Sequence, residues 1–160
     1  MVASGTLSRI QIMTDRHGPQ RTGRFQVEIE GIDWTGWRKV VIPSSSTEQG
    51  EYRDGDGPDQ EREIWGETIV ADLEMERGVQ PGDTRIFDWR EEIRQGNVDE
   101  GLKKVAVILQ DEEGEGQLRW EFENAWIKYY DPPTLDASED DGVATERITV
   151  AFERMTREEL

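Results

Sequence analysis

The chain has 160 residues, no cysteine, and 36 acidic against 19 basic residues, for a formal net charge of −17. That length suits one domain, or one domain with arms. The absent cysteines exclude a disulfide framework, a thiol nucleophile and cysteine metal ligands, and the acidic balance excludes a nucleic-acid-binding face, which must be basic to neutralise phosphates.

Lysine occurs only at Lys39, Lys103, Lys104 and Lys128. Abundant carboxylates with few lysines are what a halophilic cytoplasm selects. Carboxylates hold water and cations, and at 1 M salt a Debye length of about 3 Å screens their mutual repulsion. The N-terminus lacks a basic segment followed by a long apolar run, so no signal peptide is expected. No stretch approaches the ~18 apolar residues of a membrane span. A product made in the cytoplasm, with no membrane partner, is expected.

Residues 1–23 read as an N-terminal arm, with a polar breaker over 16–23, and residues 24–160 as a single β domain. Strand 25–30 follows, with Phe25, Val27 and Ile29 on one face and Gln26, Glu28 and Glu30 on the other. Gly31 ends it, and 32–37 turns into a second strand over 38–42. Residues 43–62 read as a long loop, of the kind that is functional or disordered. A strand over 68–77 places Ile69, Ala71, Leu73 and Met75 on one face. Residues 84–95 form the one good helix, capped by Asp83 or Thr84, with Ile86, Phe87, Trp89, Arg90 and Ile93 in helical phase. Three strands come next, over 105–110, 117–124 and 125–130, the first two joined by a hairpin turn at 111–116. Leu118, Trp120 and Phe122 are expected inward. An acidic loop spans 131–142. The last strand, 143–154, puts Ala144, Ile148, Val150 and Phe152 on one face. The sum is a mainly β (α+β) fold: two packed antiparallel sheets, as a sandwich or small barrel, with one helix over an opening.

Catalytic chemistry finds little purchase. His17 is the only histidine and lies in the polar arm, beside Gly18 and Pro19. Asp54, Asp56, Asp59 and Glu61 suggest a calcium loop, but that loop needs a ligand at its fifth position and glycine at its sixth. Here they are Pro58 and Asp59. Carboxylate pairs are too numerous for one to stand out as an acid and base, and no phosphate loop or dinucleotide motif occurs. No cofactor, metal or enzymatic activity is expected. Of the six tryptophans, Trp89 and Trp120 are in phase with apolar stripes, whereas Trp34, Trp37 and Trp65 flank loops and are candidate interface aromatics.

The order of motifs resembles the tube-protein family of contractile viral tails and contractile injection systems. The matching pieces begin with Phe25-x-Val27-Glu28-Ile29-x-Gly31, Trp37-Arg38-Lys39-Val40 and Glu51-Tyr52-Arg53-Asp54-Gly55. Glu76-Arg77-Gly78, Phe87-Asp88-Trp89-Arg90 and Val105-x-Val107-x-Leu109-x-Asp111-Glu112-x-Gly114 follow. Trp120-x-Phe122-x-Asn124-Ala125-Trp126, Pro133-x-Leu135-x-Ala137 and Glu146-Arg147-Ile148-Thr149-Val150-Ala151 complete the set. The resemblance spans about residues 25–154 in the family's order. Two positions depart from it: Glu76 stands where Lys-Arg-Gly is common, and Ile127 where Pro often follows Asn-Ala-Trp.

The resemblance implies a homo-hexameric ring whose strands join into one barrel around a channel, with rings stacked head to tail into a tube. Implied partners are a contractile sheath, baseplate and terminator proteins, and a nucleic acid or effector in transit. The implied location is a virion tail or an extracellular contractile particle assembled in the host cytoplasm. The strands near 38–52 and 64–77 are expected at the lumen, with Asp72, Glu74 and Glu76 as candidate lining residues. Glu51, Tyr52, Arg53 and Asp54 are candidates for ring-to-ring contact. The alternative reading is a carbohydrate- or protein-binding β-sandwich module using Trp34, Trp37 and Trp65.

Overall fold

The computed structural model describes residues 23–53, 61–138 and 142–160. The arm expected over 1–23, including His17, therefore lies outside the described residues, apart from Gly23. Alternation makes Phe25–Ile29 (β1) a half-buried strand, with Val27 and Ile29 buried. It folds back through Glu30 and Gly31, both at positive φ, into Ile32–Trp34 (β2). Ile29 pairs with Ile32, so this is the two-residue hairpin that needs two left-handed residues. Glu30 is held there from both ends: its backbone N–H donates to the Lys104 carbonyl at 2.9 Å, and its carboxylate accepts the Lys104 N–H at 2.8 Å. The chain then crosses through Gly36 (φ 91°) into Trp37–Val41 (β3). That left-handed φ strains any side chain, so the crossing favours glycine, over which the Gln80 amide lies.

Residues 43–62 are largely not a loop. Ser45–Arg53 (β4) and Glu61–Val70 (β5) pair antiparallel as a separate two-stranded ribbon, pinned by a Thr47–Thr68 hydroxyl hydrogen bond of 2.9 Å. Its serine, threonine and glutamate content hides the strands from a reading that seeks a buried face. The single strand expected over 68–77 is broken at Ala71 and Asp72, because its two parts have different partners. β5 follows β4, whereas Leu73–Gly78 (β6) pairs with β3 and a later strand.

Arg85–Arg94 (α1) matches the expected helix. Thr84 occupies the N-cap position, but its hydroxyl donates to Asp88, and Asp83 accepts the Arg85 N–H instead. Phe87 is in helical phase but turns outward, while Ile86 and Trp89 are buried. A second short helix, Val98–Gly101 (α2), was not expected. Trp89 Nε1 donates to the Gly101 carbonyl at 2.7 Å and ties the two helices together.

Lys103–Gln110 (β7) is buried on both faces along its middle, as its unbroken apolar run requires. The two strands expected over 117–130 are one, Gly116–Asp131 (β8). Its upstream half pairs with β7 on one side. At Asn124 (φ 50°) the register shifts and the strand passes into a second sheet, where it pairs with Thr145–Ala151 (β9). Asparagine tolerates this left-handed conformation, and Asn124 Nδ2 donates to Glu153 at 2.5 Å. The final strand expected over 143–154 is shorter, and Arg154–Glu159 (β10) continues its line along upstream β8.

The result is two antiparallel sheets hinged on β8: β2-β1-β7-β8-β10 and β3-β6-β9-β8. Their inner faces supply one core. Val27, Ile29, Val105, Val107 and Phe122 come from the first sheet, Leu73, Met75, Ile127, Ile148 and Val150 from the second. Ile86 and Trp89 close one side. Phe122 and Phe152 meet edge to face at 5.0 Å where the sheets join.

Candidate assembly surfaces

The second sheet ends in unpaired margins. Among the described residues β3 has a neighbour, β6, on one side only. Downstream β8 has β9 on one side, while β7 leaves it at Ala125. Arg90 Nη1 satisfies one carbonyl on this stretch, that of Ile127, at 2.8 Å. Long uncovered strand edges are templates for pairing with another chain.

The β4–β5 ribbon continues from β3 and β6, and the Ala71 N–H donates to the Ser44 carbonyl at 2.8 Å at its root. Among the described residues its two strands pair only with each other. Trp65 (84% exposed), Ile69 and Val70 present apolar surface on it. A lone two-stranded ribbon is marginal in water, so this one needs support from elsewhere. Glu51, Tyr52 and Arg53 fall in β4, opposite Glu63, Arg62 and Glu61, while Asp54 lies outside the described residues.

Asp72, Glu74 and Glu76 do not form a bare acidic stripe. Asp72 lies between strands and pairs with Lys128 at 3.1 Å. Glu76 sits in register between Lys39 on β3 and Arg147 on β9, and Arg147 is opposite Asp131 on β8. The open face of the sheet thus carries a row of alternating sign across four strands, Lys39, Glu76, Arg147 and Asp131. Opposite charges in directly paired positions stabilise a sheet. Glu74, opposite Val41 and Thr149, has no such cross-strand cation.

The three loop-flanking tryptophans part company. Trp34 is only 6% exposed, a correction to its candidacy as an interface residue. The Glu30–Gly31 turn swings it inward, where it meets Trp89 edge to face at 6.3 Å under the Arg85 guanidinium, 4.4 Å from its ring. Trp37 is half-buried on the inner face, and Trp65 alone stands clear. The aromatic platform of the binding-module alternative is therefore not assembled. Among the described residues a carboxylate cluster, Asp111, Glu113 and Glu115, lies in the β7–β8 turn. Asp111 Oδ1 there accepts the N–H groups of Glu113 and Glu115, each at 2.9 Å, which accounts for it as a turn.

The model of the family described as T4-like virus tail tube protein gp19 matches residues 21–156. The chain belongs to that family. Among solved structures, it is similar to a chain of the PVC sheath-tube complex of an extracellular contractile injection system in the extended state. That match has a TM-score of 0.80 and 25% identity, and covers 93% of this chain and 97% of the other. It is also similar to a chain of the PVC sheath/tube terminator (TM-score 0.77, 26% identity, 89% and 98% covered). Hcp1 from Flavobacterium johnsoniae shares the fold at 18% identity, with a TM-score of 0.51 and 83% and 93% covered. No curated protein matches the sequence.

Inside this tail tube protein, sequence reasoning missed a buried charge cluster. Arg77 is 0% exposed. Its Nε donates to Glu146 at 3.2 Å, its Nη1 donates to Asp83 at 3.1 Å, and its guanidinium carbon lies 5.6 Å from the centre of the Trp37 ring. Asp83 also takes both ends of the Arg85 guanidinium, at 2.9 and 2.8 Å. Tyr130 donates to the other Glu146 oxygen at 2.9 Å. Arg77 Nη2 and Trp37 Nε1 are buried and find no partner among the described residues. The cluster ties β6, β8 and β9 to the turn that launches α1. A signal for it exists: Arg77 continues the inward parity of Leu73 and Met75, and Glu146 that of Ile148 and Val150. Opposite charges in apolar phase on two strands read as a buried pair.

These contacts set two limits of pH. The side-chain hydrogen bonds from Arg85 hold the Asp83 carboxyl far below its ordinary 3.8. Burial opposes them, and the Arg85 backbone N–H and the Arg77 charge add to them. A depressed folded pKa contributes stability that is full above the unfolded value, so the contribution of Asp83 shrinks progressively as pH falls below about 4. Burial, then the hydrogen bond to Glu146, push the Tyr130 phenol from 10.0 up to about 12. A raised folded pKa contributes stability that is complete below pH 10 and disappears as pH rises through 12. Melting curves between pH 9 and 12 are expected to fall more steeply for the natural chain than for Tyr130→Phe. Equal slopes would contradict this assignment.

Proposed function

We propose that this tail tube protein forms hexameric rings stacked head to tail into a hollow tube inside a contractile sheath. A baseplate and a terminator protein bound its ends. Nucleic acid or an effector passes through the channel when the sheath contracts. The chain performs no catalysis, assembles in the host cytoplasm, and works in a virion tail or an extracellular particle. The arm over 1–23 and the ribbon supply ring-to-ring contacts.

The carrying observation is the β4–β5 ribbon, an extended pair with exposed apolar residues whose strands find no third strand among the described residues. The sheet margins agree with it. Four strands alternate in direction from β3 to β8. The β3 margin of one copy therefore meets the β8 margin of the next in antiparallel sense, and a wall closes without a change of pattern. A contact between two different patches is heterologous and suits rings and open stacks. With the open face of this sheet toward the lumen, Glu74 and Glu76 line the channel. Their neighbours Lys39 and Arg147 leave that wall near charge balance, so cargo meets little net field.

Electron microscopy of the purified protein over a salt series tests the reading. Rings or filaments are expected at molar salt. Dialysis to about 0.1 M is expected to disassemble them and lower the melting temperature, because −17 per copy is then poorly screened. Monomers at every salt would end the tube proposal. Rings whose melting is the same at 0.1 M and 3 M would remove the halophilic part alone.

A further inference from the structure

Where α1 ends and α2 begins, the surface opens into a cavity of about 230 Å³ lined by Ile93, Gly96, Asn97, Val98, Leu102 and Trp126. Apart from Asn97 its wall is built from apolar groups. Val98 is 65% exposed, an uncovered apolar residue beside an unfilled apolar hole. Asn97 Nδ2 donates to Glu92 at 2.7 Å, which fixes the orientation of its amide. The Asn97 backbone carbonyl accepts the Gly101 N–H at 2.9 Å, whereas its side-chain oxygen Oδ1 takes no donor among the described residues.

We infer that the indole of Trp65 from a second copy fills this socket. The inference rests on the tube reading and adds which side chain enters which cavity. An indole has a large apolar body and a single N–H that needs an acceptor once buried. The socket offers an apolar wall and one uncommitted amide oxygen. Trp65 is the most exposed tryptophan, and it stands on a ribbon that no other strand among the described residues pairs with. Buried tryptophans in preformed pockets are the residues that anchor interfaces. The larger cavity of about 380 Å³ at the ribbon's root is a poorer match, because Ser45, Thr68, Asp72 and Glu153 put polar groups in its wall. Plug and socket are different places on the same chain, so the contact is heterologous and repeats from copy to copy.

Replacing Trp65 by the photo-reactive aromatic p-benzoylphenylalanine keeps a large ring at the position while marking what it touches. Assembled rings or tubes are irradiated and the cross-linked peptides mapped by mass spectrometry. Cross-links from position 65 to residues 93–102 or Trp126 of another copy are expected. Intact tubes with cross-links elsewhere, or with none, overturn the inference and leave the tube reading standing. Failure of the natural chain to form any ring removes that reading and the inference with it. As a second arm, Val98→Asp places a charge in the socket without touching the core. It is expected to raise the concentration needed for assembly at least about tenfold, the equivalent of 1.4 kcal/mol, with the melting of the monomer unchanged. Assembly at the natural concentration would overturn the inference.

Discussion

Replacing residues 45–70 by a two-residue Asn-Gly turn is expected to leave a folded monomer that no longer assembles. The chain ends created by the cut are already neighbours, since the Ala71 N–H donates to the Ser44 carbonyl. Among the described residues, none of 45–70 belongs to the buried core, and both ribbon strands pair only with each other. The melting temperature of the shortened chain should therefore stay within a few degrees of the monomer's own, because burial in the sandwich is untouched. Self-association should disappear even at about ten times the concentration at which the natural chain forms rings, a deficit of at least 1.4 kcal/mol per contact. Sedimentation and electron microscopy read the second outcome, and calorimetry the first. A shortened chain that still stacks into tubes would show that the sheet margins suffice. One that unfolds would show that the ribbon braces its own body.

Arg77→Met is expected to be the most damaging single substitution in the β-sheet body. Methionine is close to arginine in length and fills the space, so packing loss is small. What remains is Glu146 without its guanidinium partner and Asp83 with only Arg85, both largely shielded from water. Breaking a buried pair by removing one partner costs about 3–5 kcal/mol. For a chain of this size that lowers the melting temperature by roughly 10 °C. Adding Glu146→Gln and Asp83→Asn to the same chain should recover part of the loss, because the stranded charges go too. Such recovery separates charge burial from lost packing. If the triple variant melts no higher than Arg77→Met, the cluster does not act through its charges. Arg77→Lys should also fail to substitute, since one ammonium cannot reach two carboxylates in the planar geometry of a guanidinium.

The two sheet faces explain why some candidate residues were legible and others were not. Alternation over 25–29 and 143–154 identified inward residues that are buried in the fold, among them Val27, Ile29, Ile148 and Val150. Period-two patterning works there because one side of each strand meets a core. It fails over 45–53 and 61–62, where the strands pair only with each other among the described residues, and so that part of the ribbon reads as a loop. Trp34 misled for the opposite reason. It flanks a turn, and only the path of the Glu30–Gly31 hairpin decides that its ring goes in, over Trp89. The stripe of Asp72, Glu74 and Glu76 was correct as a face of β6 for its last two members. Its cations come from β3 and β9, distant in sequence, so the balance of that face could not be counted along one strand.

By itself the sequence determined the class of the molecule. Local alternation and one amphipathic helix are properties of neighbouring residues, and with the acidic composition they specify an acidic antiparallel β protein. The ordered motifs from Phe25 to Ala151 carried the family as well. The tertiary structure decided what no local pattern contains. One strand, β8, serves both sheets by bending at Asn124, Arg77 meets carboxylates from two other segments, and the ribbon is left without a third strand among the described residues. Each of these depends on strands that are far apart in the chain and adjacent in space. Pairing between distant segments is chosen by the whole core at once, and only there do the open edges of the assembly become visible.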